Sequence, residues 1–224
     1  TYLGYDIHPR LADTDGDGLN DKVDEDKLIW NISARDMAMF INLVYENDKK
    51  IDDILKKNAP AGTLSNNIQK MTNNELGPYW RVKETYHQDN GLDAVLFETT
   101  NNFPFLKGDK IQVLAFAGTN VAQAGDLKAD LALFFGNESN QSEAAIQLMK
   151  KIKRDSTITN LYITGHSLGG YLSLRATATA EKDKFGKYRQ TYTFNAPKVK
   201  SGWLWGVPKD DVKISEELAK SGKI

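Results

Sequence analysis

Apolar and polar positions change rhythm several times along this chain, and each rhythm predicts an element. After Ser33, the residues Met37, Phe40, Ile41 and Val44 fall at helical spacing. Ser33-Ala34-Arg35-Asp36 has the form of a capping box with Asp in place of Glu. Ile51, Ile54 and Leu55 predict a second short helix, ended by Pro60. Residues 62–78 are rich in Asn, Gly and Thr and read as loop. Two strands are predicted at 79–86 and 92–99, joined across Asp89-Asn90-Gly91, where Asn-Gly supplies the positive φ of a hairpin turn. The nearly continuous apolar run 111–116 predicts a buried strand. Residues 141–152 form an amphipathic pattern with Ala145, Leu148, Met149 and Ile152 on one face. A buried strand at 161–164, a helix at 171–180 and a strand at 190–194 complete the series. From residue 111 onward strands alternate with helices, which predicts an α/β domain with a mostly parallel sheet and helices on both faces.

Composition narrows the function classes. With 40% hydrophobic and 26% charged residues among 224, the chain suits a globular domain. A net charge of -1 gives no reason to expect nucleic acid. No apolar run approaches the roughly 20 residues of a membrane-spanning helix. The absence of cysteine excludes zinc-thiolate sites, disulfides and thiol catalysis. The chain opens at Thr1 with neither a start methionine nor a signal peptide, and is expected to be a piece of a longer protein.

Two units are expected: an acidic leader over residues 1–30 and a main domain over 31–224. In the leader, Asp13, Asp15, Asp17, Asp21 and Asp24 stand at positions 1, 3, 5, 9 and 12 of a calcium loop. Leu19 supplies the position-7 carbonyl, and Gly18 sits where the loop must turn sharply. Carboxylates at alternating positions would repel one another without a cation, so Ca2+ is the expected structural cofactor. Asp24 stands where a bidentate Glu is usual. The stretch resembles the thrombospondin type 3 and dockerin-like loops of secreted bacterial proteins. A solvated acidic linker is the bland alternative.

The chemistry centres on Gly165-His166-Ser167-Leu168-Gly169. A Gly-x-Ser-x-Gly pentapeptide alone is weak, arising by chance in roughly a tenth of chains this long. Its context is stronger: a buried strand runs into it and a helix follows at once, as a nucleophile elbow requires. The sharp turn would lift the Ser167 hydroxyl above the sheet, at the positive end of the following helix. A serine nucleophile also needs a base and oxyanion donors. One donor is the N–H after the nucleophile, here Leu168; the second comes from a loop after an earlier strand. The strand that ends in Ala117-Gly118-Thr119 supplies such a loop.

The segments 114–120 (LAFAGTN), 163–172 (ITGHSLGGYL) and 193–199 (TFNAPKV), in this order and spacing, resemble the class 3 lipases. That resemblance covers residues 34–200 and implies an α/β-hydrolase fold whose C-terminal part is missing here. It also implies serine esterase activity on triacylglycerols or phospholipids, with Thr119 in the oxyanion position. Ala117 replaces an Arg usual in the family's first motif. The resemblance places the acid and histidine after the third motif, where the chain has no histidine. His166 is expected to point away from the reaction, His87 to be a surface residue at a hairpin tip, and His8 to lie in the leader. Asp210 and Asp211 read as the solvated start of a helix, so the triad Asp and His are expected beyond Ile224.

The expected function is hydrolysis of lipid carboxylic esters, as a phospholipase A1 or a triacylglycerol lipase, at a membrane surface. Secretion from a bacterium, a role as a toxin and a neutralising (immunity) protein as partner are further expectations. A non-catalytic lipase-like binding module is the alternative. Two apolar clusters, 121–140 and 202–207, are candidate lipid contacts or ordinary core.

Overall fold

The computed structural model describes residues 20, 22–23, 32–57, 62–64, 72, 76–77, 79–101, 110–118, 127–197 and 207–224, apart from the side chains of 127–139. Ten elements follow in chain order. Helices α1 (Ala34–Val44) and α2 (Asp48–Leu55) precede strands β1 (Trp80–His87), β2 (Asp93–Thr99) and β3 (Ile111–Phe116). Then come α3 (Leu127–Arg154), β4 (Asn160–His166), α4 (Leu168–Lys182), β5 (Tyr188–Phe194) and α5 (Lys209–Lys220).

The strands form one five-stranded sheet in the order β1-β2-β3-β4-β5. It is mixed rather than mostly parallel: β1 to β2 and β2 to β3 run antiparallel, while β3 to β4 and β4 to β5 run parallel. The antiparallel half arises because residues 88–92 are too few to carry the chain back across the sheet, so β1 and β2 must form a hairpin. At its turn only Gly91 takes a positive φ, of 84°, and Leu92 N–H is held by the Asn90 side chain at 3.0 Å. The parallel half is joined through α3 and α4, as the alternation of elements requires.

Side chains alternate across the sheet with the period of two expected of strands. On one face Ala94, Leu96, Leu114, Phe116, Leu161 and Ile163 pack against α3 and α4. On the other, Val95, Phe97, Val113 and Ala115 meet α1 and α2. Phe40 of α1 stacks edge-on to Trp80 and tilted to Phe97, with ring centroids 4.8 Å apart in each case. The α1 start is the predicted capping box: Ser33 Oγ accepts from the Asp36 N–H, and the Asp36 carboxylate accepts from the Ser33 N–H at 2.8 Å. Helix α3 is longer than the predicted 141–152, because its backbone runs helically through Gly136 and Asn137 despite their poor propensity.

The register places one end of every strand along a common rim. His87 pairs with Asp93, Ala94 with Phe116, Phe116 with Gly165, and His166 with Phe194. The serine pentapeptide and the end of β3 therefore stand side by side on that rim. At the opposite rim the buried carboxylate of Glu98 is gripped by Arg81 at 2.7 Å, Gln112 at 3.2 Å and Lys110 at 3.2 Å. Burial pushes its pKa up, but those donors outweigh it and hold it down at about 2. This cluster is a structural rivet, a full strand length from the serine.

Candidate active site

Ser167 lies between the last residue of β4 and the first of α4. Its backbone has φ 54° and ψ -121°, a region that side chains rarely occupy. The turn is fixed from outside. Ser167 N–H donates to the Phe194 carbonyl at 2.9 Å, and the Ser167 carbonyl accepts from Tyr171 N–H at 3.1 Å. Its side chain makes no capping bond to the helix, and the residue is 8% exposed.

Such a tight turn forces α4 against the strands, and the flanking glycines make this feasible. A Cβ at Gly169 would lie 2.9 Å from the carbonyl carbons of Phe116 and Ala117, and closer still to the Phe116 oxygen. A Cβ at Gly165 would run into the Gly169 carbonyl. Both positions tolerate only hydrogen. As a result the end of β3, the end of β4 and the start of α4 converge at one point.

At that point the helix presents its positive end. The first N–H groups of α4, beginning with buried Leu168, have no partner within the helix. Ser167, read as the nucleophile, and Leu168, read as an oxyanion donor, stand at the turn between β4 and α4. Thr119, the other residue read as an oxyanion donor, lies outside the described residues. So do Asp13, Asp15, Asp17, Leu19, Asp21 and Asp24 of the acidic leader. Of that leader, Asn20 and Val23 close a turn through a 2.8 Å backbone bond.

His87 does more than face solvent. Its Nδ1 is 2.8 Å from Asp93 Oδ1 and its Nε2 is 2.9 Å from Asp48 Oδ1. The hydrogen bonds to Asp93 and then Asp48 raise its pKa above the ordinary value. With both ring nitrogens engaged, it is a strut between the first turn of α2 and the start of β2. It is not free to serve Ser167. His166 makes no hydrogen bond to Ser167 among the described residues.

The reading of Asp211 is corrected. It is not part of a solvated helix start: it is buried, ion-paired with Arg175 and Lys182 of α4. Arg175 also donates through Nε to Ser142 Oγ at 2.8 Å. This cluster ties α3, α4 and α5 together. Its signal was absent from local sequence, because the partners come from three helices. Tyr45, whose hydroxyl accepts from Gly118 N–H at 3.0 Å, was likewise overlooked by sequence reasoning.

A family model described as "Phospholipase-like: Tle-like phospholipase domain" matches residues 36–202, which include the elbow, the end of β3 and all five strands. The chain belongs to the Tle-like phospholipase domain family. No curated protein and no solved structure gives a match. The resemblance to class 3 lipases is thereby met at the level of a phospholipase-like family. This Tle-like domain is a lipid-ester hydrolase by family, built on a mixed α/β sheet.

Proposed function

We propose that this Tle-like domain cleaves a carboxylic ester of a phospholipid through an acyl-enzyme on Ser167, with phospholipase A1 character. The observation that carries the reading is the Ser167 backbone at φ 54°, held between β4 and α4. That conformation is strained, and backbone strain kept at a polar residue points to function. In the reaction, Ser167 Oγ bonds to the ester carbonyl carbon while its proton passes to a histidine base. The resulting oxyanion is held by the N–H groups of Leu168 and Thr119. The bond to the glycerol oxygen then breaks, that oxygen leaves with the proton, and water releases the fatty acid from the serine.

The base is a histidine from outside the described residues, since His87 is committed to Asp48 and Asp93. The α/β-hydrolase assignment and the class 3 lipase kinship belong to the same proposal. The conjunction of a phospholipase-like family and an acidic leader supports a secreted bacterial effector acting at a membrane surface, with a neutralising immunity protein as partner. The spacing from Asp13 to Asp24 supports structural Ca2+ in the leader.

The test is fatty-acid release from phosphatidylcholine and from a triacylglycerol, with Ser167→Ala alongside. Release from the phospholipid that vanishes in the variant is expected. Preference for triacylglycerol overturns the phospholipase assignment. No release from either lipid leaves the alternative, a non-catalytic lipase-like binding module, which the commitment of both His87 nitrogens favours.

A further inference from the structure

The end of β3 lies against the Ser167 elbow, and Ala117 and Gly118 are held there by two bonds. Ala117 N–H donates to the Asp93 carbonyl at 2.9 Å, which continues the β2–β3 ladder by one rung. Gly118, the next residue, leaves the ladder. Its N–H donates to the hydroxyl of Tyr45 at 3.0 Å, across 73 residues of sequence. Tyr45 is the C-cap of α1, on the opposite side of the sheet from α4.

Gly118 is also gripped from the other side. A Cβ there would lie 2.6 Å from the His166 carbonyl, 2.7 Å from the Tyr45 hydroxyl and 3.2 Å from the Gly169 N–H nitrogen. The residue is thus wedged between the phenol and the elbow. Without the phenol, its N–H would point into a half-buried space with no other protein acceptor among the described residues. Burial keeps the phenol neutral, pushing its pKa above the ordinary value against the Gly118 bond.

The phenol sits in a braced corner. Three residues beyond it, Asp48 opens α2 and accepts from Thr85 Oγ1 at 2.8 Å and pairs with His87 at 2.9 Å. His87 in turn pairs with Asp93, whose carbonyl holds Ala117. The corner between α1 and α2 is therefore fastened to β1 and β2, and through them to the same turn that Tyr45 holds.

We infer that Tyr45 is a positioning residue of the site: its hydroxyl fixes the Gly118 peptide against the Ser167 elbow. This rests on the acyl-enzyme reading above. Tyr45 touches no reacting atom. It acts by holding Gly118 against the His166 carbonyl and Gly169 at the elbow, and a shift of that packing weakens transition-state binding more than substrate binding.

The experiment compares wild type with Tyr45→Phe, which keeps the ring and removes the acceptor. Amide exchange at Gly118 and Ala117 is followed by NMR, and hydrolysis of phosphatidylcholine is measured on the same preparations beside Ser167→Ala. Exchange at Gly118 is expected to rise at least about tenfold while Ala117 and α1 stay protected, because one of the two bonds is lost and the other kept. The kcat is expected to fall roughly tenfold with KM unchanged, a fraction of the effect of deleting an oxyanion donor. A 3-fluorotyrosine at position 45 keeps the phenol oxygen as acceptor and is expected to retain both. Unchanged exchange at Gly118 overturns the inference, as does faster exchange with unchanged kcat. Loosening of all of α1 in Tyr45→Phe also overturns it, since the phenol would then only pack. If wild type cleaves no lipid ester, the acyl-enzyme reading falls, and exchange at Gly118 alone decides whether Tyr45 anchors the turn.

Discussion

Replacing Ser167 with glycine should make this protein more stable. Ser167 holds φ 54° and ψ -121°, and a non-glycine residue in such a region carries about 1–3 kcal/mol of strain. Glycine adopts the same backbone without its Cβ clash, so Ser167→Gly releases most of that energy. Against it stands the greater freedom of glycine in the unfolded chain, about 0.4–1 kcal/mol. The hydroxyl offers little to offset, since it caps no helix N–H. The net expectation is a gain of roughly 1–2 kcal/mol. For a chain of this size that is a rise in Tm of about 2–8 °C. Ser167→Ala supplies the control, because it removes the same hydroxyl and keeps the Cβ. It should melt near wild type, and both variants should be inactive. Calorimetry on the three proteins decides the matter. A Ser167→Gly protein no more stable than Ser167→Ala would refute the idea that the elbow stores strain in the serine backbone.

Other expectations follow from charge and metal. Asp211→Ala strands the buried guanidinium of Arg175 and should destabilise by about 3–5 kcal/mol; Arg175→Leu combined with Asp211→Leu should recover much of this in urea melts. His87 has a raised native pKa, so its protonated form stabilises the fold fully below its unfolded value near 6.5, and that contribution fades as pH rises through the higher native value. The difference in Tm between wild type and His87→Gln should therefore shrink on going from pH 6 to pH 9, and a constant difference would count against the strut. Adding a chelator should lower the Tm of the wild type, and substituting Asp13 and Asp15 together by Asn should abolish that sensitivity.

The fold was legible wherever one local rule decided the structure. Residues 111–116 are apolar at nearly every position and form β3 without a shift of either end. The capping box at Ser33 and the hairpin turn at Gly91 each depend on residues a few positions apart, so they too could be read. The elbow was readable because strand, serine and helix are contiguous. What escaped was non-local. Nothing beside Asp211 announces Arg175 or Lys182, and nothing beside His87 announces Asp48. Tyr45 looks like any aromatic residue at a helix end until the chain brings Gly118 to it. The mixed character of the sheet was half visible, since the hairpin implied antiparallel pairing while the later alternation drew attention to the parallel half. In α3 the backbone runs helically through Gly136 and Asn137, residues of poor helix propensity, so the helix begins earlier than the amphipathic pattern at 141–152.

The elbow also has a history within each molecule. Its conformation persists only while neighbours impose it, and those neighbours are Phe116 from upstream and Phe194 from downstream. A chain emerging from the ribosome presents the pentapeptide before it presents β5. Until Phe194 arrives to hold the Ser167 N–H, the serine is free to relax into an ordinary backbone shape, and its hydroxyl is no better a nucleophile than any other. The turn is therefore completed only once β5 joins the sheet.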